Sequence, residues 1–419
     1  MLLTAAGLAA GVALVPGRSG DLIVVFSGEM KGYLSPCGCT KPMLGGIARR
    51  GAVIERLARG ERPILLENGD LTAADGRQDE LKAETIADAF GAMGYDAVGL
   101  GEKDLELGEE FLQAIQARTS ARLICANLTD TAGRRLFARS VTLQRRIGGV
   151  RRTVVVSAVM ARRQLAPEGF RISDPAEALK PLARAGDVRI LLFHGRRQDA
   201  EALVRKVPGF SLMVYAHGPD TPAPPVRIGS TTLACSGTSG KYLGVARLSA
   251  SGTVRSVSSV ALGESVGTNS RIEAIRRAYL ARVASENLLD MAPRSPLPAG
   301  AAYAGTEACK ACHSDAHRVW SGSSHARAMG TLRAAGQDRD PECVPCHAVG
   351  VAHEGGYLDG KLPSLAHVGC ESCHGPSARH VEDQGIRPPR GGPASCSPCH
   401  VPAHSPKFRY ETYWSKVRH

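Results

Sequence analysis

Cys309-Lys310-Ala311-Cys312-His313, Cys343-Val344-Pro345-Cys346-His347, Cys370-Glu371-Ser372-Cys373-His374 and Cys396-Ser397-Pro398-Cys399-His400 are four copies of one five-residue pattern. They fall between residues 309 and 400 of a 419-residue chain. Eight of its 12 cysteines and 11 of its 13 histidines lie after residue 300, which separates this region from the rest. The pattern is the attachment sequence of c-type haem. Two thiols reach the two vinyl groups of one porphyrin, and the adjacent histidine falls beneath the ring to ligate iron. Zinc ribbons or disulfides explain paired cysteines but need no histidine directly after every second one. The reading is therefore four covalent haems. Their eight thiols are Cys309, Cys312, Cys343, Cys346, Cys370, Cys373, Cys396 and Cys399, and their proximal ligands are His313, His347, His374 and His400.

Four irons accept up to four further ligands. His325, His367, His380 and His419 are the foremost distal candidates. His325 closes Trp320-Ser321-Gly322-Ser323-Ser324-His325, His380 follows the third motif, His367 precedes it by one turn, and His419 follows the aromatic segment Tyr410 to Trp414. His317, His353 and His404 are weaker candidates. An iron left with an open position is a place for small-molecule chemistry. The region is rich in Gly and Pro and poor in long apolar periods, so short helices joined by irregular loops are expected around the haems.

From Tyr303 to His419 the chain resembles the multihaem cytochrome family related to the nitrifier tetrahaem electron carrier. The carrying residues are the four motifs, the Trp-Ser-x-x-x-His element ending at His325, Cys370 to Pro376, and the closing Tyr413-Trp414-Ser415-Lys416-Val417-Arg418-His419. The resemblance implies closely packed haem pairs, mostly bis-histidine iron and electron transfer in a periplasm. Redox proteins or a quinol-linked membrane complex are the partners expected.

Working outward, residues 21–262 alternate apolar strand runs (Leu22 to Phe26, Pro63 to Leu66, Ala97 to Leu100, Arg122 to Cys125, Thr153 to Ala158, Val188 to Phe193, Leu212 to Tyr215) with helical periods near Glu80 to Met93 and Gly108 to Arg118. That alternation predicts an α/β domain. Polar residues gather at strand ends: Gly28-Glu29-Met30-Lys31, Gly69-Asp70, Gly101-Glu102-Lys103-Asp104, His194-Gly195 and Ala216-His217-Gly218. This order is similar to the calcineurin-like metallophosphatases, in particular the 5′-nucleotidase branch. The resemblance implies an α/β sandwich and a two-metal site built from Asp-x-His, Gly-Asp, Gly-Asn-His-Glu, a lone His and Gly-His-x-His. Here Glu29 and Lys31 stand for the first Asp and His, Glu102 and Lys103 for the Asn and catalytic His, and Pro219 for the last His.

Asp70, His194 and His217, with Glu29, remain as a vestigial metal site for one divalent ion. Lys31 and Lys103 would put ammonium groups where cations bind, and like charges repel strongly at such range. A working dinuclear site is not expected. The two lysines are also anion-binding candidates. Cys37 and Cys39, in Ser35-Pro36-Cys37-Gly38-Cys39-Thr40, are redox-thiol candidates, because nearby Lys and Arg favour thiolate. They resemble an exported branch of nucleotidase-like proteins. Cys125 and Cys235 sit in apolar runs and are expected to be buried.

Residues 263–300 read as a helix (Arg271 to Leu289) and a Pro-rich linker ahead of a cytochrome domain at 301–419. Residues 1–20 are apolar and too short for an ordinary spanning helix; they fit a signal or tether segment and leave membrane contact open through the N-terminus. The charge of +12 is spread in ones and twos and is offset by haem propionates, so no nucleic-acid role is expected. The expectation is an extracytoplasmic, periplasmic multihaem electron carrier with a nucleotidase-like domain. Its rivals are a metal-dependent phosphoester hydrolase and a reductase acting at a five-coordinate haem.

Overall fold

A computed structural model describes residues 20–37, 42–60, 62–162, 166–360, 362–402 and 404–419, with the side chain of Cys37 outside that set. Cys39 also lies outside the described residues. The chain forms two compact units, one of residues up to Pro36 with Leu44–Glu273, the other chiefly Ala274–His419.

In the first unit, apolar residues alternate along the strands because successive side chains point to opposite faces. Two six-stranded sheets result. The first runs Val254–Ala261, Tyr242–Leu248, Leu22–Ser27, Ile64–Asn68, Ala97–Gly99, Arg122–Ile124. The second runs Ala223–Ile228, Thr231–Cys235, Leu212–Tyr215, Val188–His194, Val150–Met160, Ser140–Ile147. Val24, Phe26, Ile64 and Leu66 of the first meet Val154, Val156, Ile190, Leu192 and Val214 of the second in one buried cluster. The intervening residues Val159, Leu191, Phe193 and Met213 face the other way, into a cluster shared with Ala178, Leu179, Ala200 and Leu203 of the helices Pro175–Leu179 and Arg197–Lys206. Strands buried on both faces read as continuous apolar runs, which is why the central ones were visible in the sequence.

The central strands are parallel: Leu22–Ser27 with Ile64–Asn68, that strand with Ala97–Gly99, and Val188–His194 with Val150–Met160 and Leu212–Tyr215. Their carboxyl ends therefore lie together, where α/β sheets build sites. Antiparallel strands such as Ser140–Ile147 and Val254–Ala261 close the edges. Their alternating exposed residues gave weaker apolar signals.

The second unit is short helices and turns. A helical turn accompanies each attachment motif: Thr306–Cys309, Val344–His347, Glu371–His374 and Pro393–Cys396. The helix Ser270–Ser285 contains the division between units. The Pro-rich stretch read as a linker is hydrogen-bonded within the second unit: Ser295 N donates to Ala352 O at 2.9 Å, and Glu354 N donates to Ser295 O at 3.0 Å. No helix among the described residues is long and apolar enough to cross a membrane.

Candidate functional sites

The first site begins at Asn68, the last residue of its strand. Its amide donates to Phe193 O and Val214 O, both at 3.1 Å, and so ties the carboxyl ends of the two sheets together. Its carbonyl lies 2.7 Å from His194 Nδ1. A carbonyl only accepts, so Nδ1 carries a proton. His194 Nε2 is 2.9 Å from Glu102 Oε2 and 3.5 Å from Asp70 Oδ1, while His217 Nε2 is 3.2 Å from Glu102 Oε1. One donor atom from each of Asp70, Glu102, His194 and His217 lies within 4.8 Å of the others.

Asp104 holds the loops. Its carboxylate accepts the N–H groups of Asp70, Leu71 and Gly101, each at 2.8 Å. Burial and the Asp70 charge push Asp104 up to about 7. Asp70, His217, Glu29 and Lys31 have φ of 53°, 49°, 54° and 50°. Non-glycine residues in that region cost of order 1–3 kcal/mol each and cluster at functional sites. Gly101 has to be glycine, because a Cβ there would lie 2.5 Å from His194 Cε1 and 2.7 Å from Nε2.

Burial acts to raise the Glu102 carboxyl and to lower His194, but their partners outweigh it. Hydrogen bonds from His194 and His217 hold Glu102 well below the carboxylate range, and Asp70 and Glu102 raise His194. The carboxylates of Glu102 and Glu29 lift His217 to about 9.

Glu29 lies at the edge: it accepts His217 N–H at 2.9 Å and pairs with Lys31 Nζ at 3.3 Å. Lys103 turns its ammonium to Glu106 at 2.8 Å, and it is its backbone N–H that reaches Asp70 Oδ1, at 3.0 Å. The expectation of two ammonium groups among the cation's donors is thus corrected: each lysine has its own carboxylate. Sequence reading treated Glu102 as a departure and overlooked Asn68 and Asp104. The one signal for Glu102 was its position at a strand's carboxyl end. Cys125 and Cys235 are buried at 1% and 5% exposure.

In the second unit, His313, His374 and His400 each donate a backbone N–H to the first cysteine of their motif, at 2.9, 3.0 and 2.9 Å. That turn sets thiols and imidazole on one side. Three proximal imidazoles each face a distant one: His313 with His380 at 6.0 Å between ring centroids, His374 with His419 at 6.0 Å and His400 with His325 at 6.3 Å. Two metal–imidazole bonds of about 2.0 Å plus two ring radii would span ~6 Å, so each pair has the spacing to hold one iron. The outer nitrogens are fixed as ligating histidines require. Nδ1 of His347, His374, His380 and His419 faces the carbonyl of Ala328, Pro389, Ile386 and Val417, at 2.7 to 2.9 Å, leaving Nε2 for metal. Among the described residues no second imidazole faces His347. His367, the remaining distal candidate, has an unpartnered Nδ1 and is lowered by burial and Arg333.

The motifs are also interleaved. Cys309 lies beside Cys370, and Cys346 beside Cys399. Glu371, inside the third motif, accepts N–H groups from Ala304, Gly305 and Ser377 at 2.9, 2.8 and 2.8 Å, fastening the approach to the first motif onto the third.

Two folds meet in this chain: a metallophosphatase-like α/β fold in the N-terminal part and a helical C-terminal region that is similar to a c-type cytochrome family. Residues 308–375 match the family described as cytochrome c554 and c-prime. Cytochrome c-554 of Nitrosomonas europaea is 31% identical over 141 residues, 25% of this chain, and the chain spans 60% of that relative's length. The fold of the N-terminal part is that of the 5′-nucleotidase precursor of Thermus thermophilus, with TM-score 0.56 and 18% identity over 75% of this chain and 68% of the other. The Thermus thermophilus sulfate thiohydrolase SoxB (TM-score 0.54, 18% identity, 64% and 61% covered) has the same fold. So does the calcineurin-like phosphoesterase YfkN of Bacillus subtilis (0.53, 17%, 63% and 97%).

Proposed function

We propose that the chain is an extracytoplasmic electron carrier holding four c-type haems, fused to a metallophosphatase-like domain that no longer hydrolyses phosphoesters. The observation that carries this reading is the set of three imidazole pairs at 6.0–6.3 Å, each containing one motif histidine. Bound haem supplies one-electron chemistry. The chain's own contribution is to attach each group through two cysteines, to hold the imidazoles by Nδ1, and to keep the four motifs close. Redox proteins or a quinol-linked complex are the partners proposed, and Cys37 with Cys39 the redox terminus on the N-terminal domain. A pyridine haemochrome assay with intact-mass measurement tests the haem reading. Four haems per chain are expected; a mass equal to the bare polypeptide overturns it.

A second reading follows from His347, which faces no imidazole among the described residues: a haem attached through Cys343 and Cys346 would have His347 as its one imidazole ligand among them and would supply chemistry toward a small molecule. Carbon monoxide titration of the reduced protein tests it. One equivalent bound per chain supports the reading, and none removes it. The hydrolase alternative is tested by nucleotide turnover with added manganese or zinc, with Asp70→Ala as control.

A further inference from the structure

The end of the first unit opposite Asp70 and His217 has a chemistry of its own. Asp21, Asp96 and Asp187 each stand just before a parallel strand, Leu22–Ser27, Ala97–Gly99 and Val188–His194, so they mark the amino ends of both sheets. Arginines crowd around them. Arg255 lies 3.0 Å from Asp21, Arg145 and Arg62 lie 2.7 and 3.8 Å from Asp96, and Arg152 lies 3.7 Å from Asp187. Two more, Arg146 and Arg151, pair with no carboxylate among the described residues. Arg146 donates to Gly149 O at 3.1 Å, and Arg151 donates to Gln144 Oε1 at 3.3 Å.

These two sit at the tip of the hairpin formed by Ser140–Ile147 and Val150–Met160. Gly148 and Gly149 turn the chain with φ of 58° and 82°, as a tight two-residue turn requires. The register sets Arg145 opposite Arg152 and Arg146 opposite Arg151. Like charges directly opposite destabilise a strand pair, so folding alone gives no reason for this repeat. Arg145 and Arg152 are balanced by their aspartates. Arg146 and Arg151, on the other face of the hairpin, are exposed and unbalanced. Beside them Val150 is 47% exposed, the one large apolar side chain of the first unit so exposed among the described residues.

The same tip is where the chain enters the fold. Gly148 N donates to Gly20 O at 2.6 Å. Residues 1–19 lie outside the described residues, but they join the first unit at this turn, and Leu2 to Val15 carry no charge. Exposed cations around an apolar side chain match a headgroup layer, where the charges meet phosphates and the apolar group meets the acyl boundary. We propose that Arg146, Val150 and Arg151, backed by the arginines at the amino ends of the strands, dock the first unit on an anionic lipid membrane surface. The carboxyl ends of the strands, with Asp70 and His217, then face away from the lipid. This inference does not depend on the haems.

The test uses the full-length haem-loaded protein in flotation with phosphatidylcholine vesicles, with and without phosphatidylglycerol. Binding to the anionic vesicles is expected, and it should fall as salt is raised. Arg146→Gln with Arg151→Gln is expected to weaken it about 25-fold, since each basic residue near an anionic surface contributes about 5-fold. Arg196→Gln with Arg197→Gln removes the same charge beside His194, at the opposite end, and should change binding less than about 2-fold because screening confines the effect. No binding to anionic vesicles, which is the result expected if an acidic protein face were the true occupant, overturns the proposal. So does equal binding to both kinds of vesicle, which assigns attachment to the apolar segment alone, and so does an equal loss in the two double variants, which assigns it to net charge. Hydrogen exchange of the wild type needs no variant to fold: protection of residues 144–153 on anionic vesicles is expected, and its absence refutes the docking surface.

Discussion

Nineteen buried apolar residues pack between the sheets of the first unit, and seventeen more lie behind the second sheet. The apolar cluster of the second unit, among the described residues, has six: Leu289, Met329, Leu332, Val344, Ala348 and Val351. With Tyr279, Leu280, Val283, Ala328, Val349 and Leu365 also buried, this is still a small apolar core for a region of this length, and small domains without a sufficient core need an added constraint. The first unit is held by side chains that alternate across sheets. The second, on the proposed function, is held by its attachment points. Both units fix histidines through the outer nitrogen, by Asn68 O in one and by loop carbonyls in the other. What differs is the source of the core.

The sharpest way to break this contrast is to make the full chain in a host that cannot attach haem. The second unit should then lose its cooperative melting transition while the first keeps its own, as read by calorimetry. Two intact transitions would mean that the second unit has a sufficient core of its own.

The next effect lies inside the first unit. Arg50 Nη1 bonds Glu67 Oε2, Ser27 Oγ and Tyr95 Oη at 2.9, 2.7 and 2.9 Å, with Arg50 and Glu67 at 1% and 0% exposure. Arg50→Met leaves a buried carboxylate without its counter-charge and should cost about 3–5 kcal/mol in urea denaturation. A loss below ~1 kcal/mol would show that water reaches Glu67.

A smaller loss is expected in the second unit from Glu371→Gln, where one of three backbone donors faces an amide NH2 instead of an oxygen. Leaving a buried donor unsatisfied costs about 1–3 kcal/mol. The midpoint potentials of the haems should also rise, because a negative charge that favours ferric iron is removed. Spectroelectrochemical titration that finds no change would confine Glu371 to loop closure.

The smallest effect is at Asp174, which caps the helix Pro175–Leu179 by accepting from Ala176 N and Glu177 N at 2.7 and 3.3 Å. Asp174→Ala should cost ~1 kcal/mol. Burial pushes this carboxyl up, but the two N–H groups and Lys206 bring it below its ordinary value. The cap's contribution is therefore present above the unfolded pKa and fades as pH falls through the lower folded one. The difference between wild type and variant, followed by denaturation from pH 6 downward, should shrink. A constant difference would assign the cap a packing role only.

The four motifs were legible from residues 309–400 because two cysteines and a histidine lie within the five positions of each. The central strands were legible because burial on both faces leaves an unbroken apolar run. The edge strands Ser140–Ile147 and Val254–Ala261 escaped notice because each has a single buried residue and so no apolar run. Glu102 was read as a lost ligand, since a glutamate at a strand end carries no local mark of what it faces.

Local spacing, then, was enough to mark the four motifs and to determine the α/β character of residues 21–262. Tertiary structure alone decided which histidine meets which: His380 with His313, His419 with His374, His325 with His400, and Glu102 between His194 and His217. The reason is physical. Bonds within one turn are set by backbone dihedrals that each residue type constrains. Contacts across long loops depend on how separate segments pack, and no single stretch of chain contains that information.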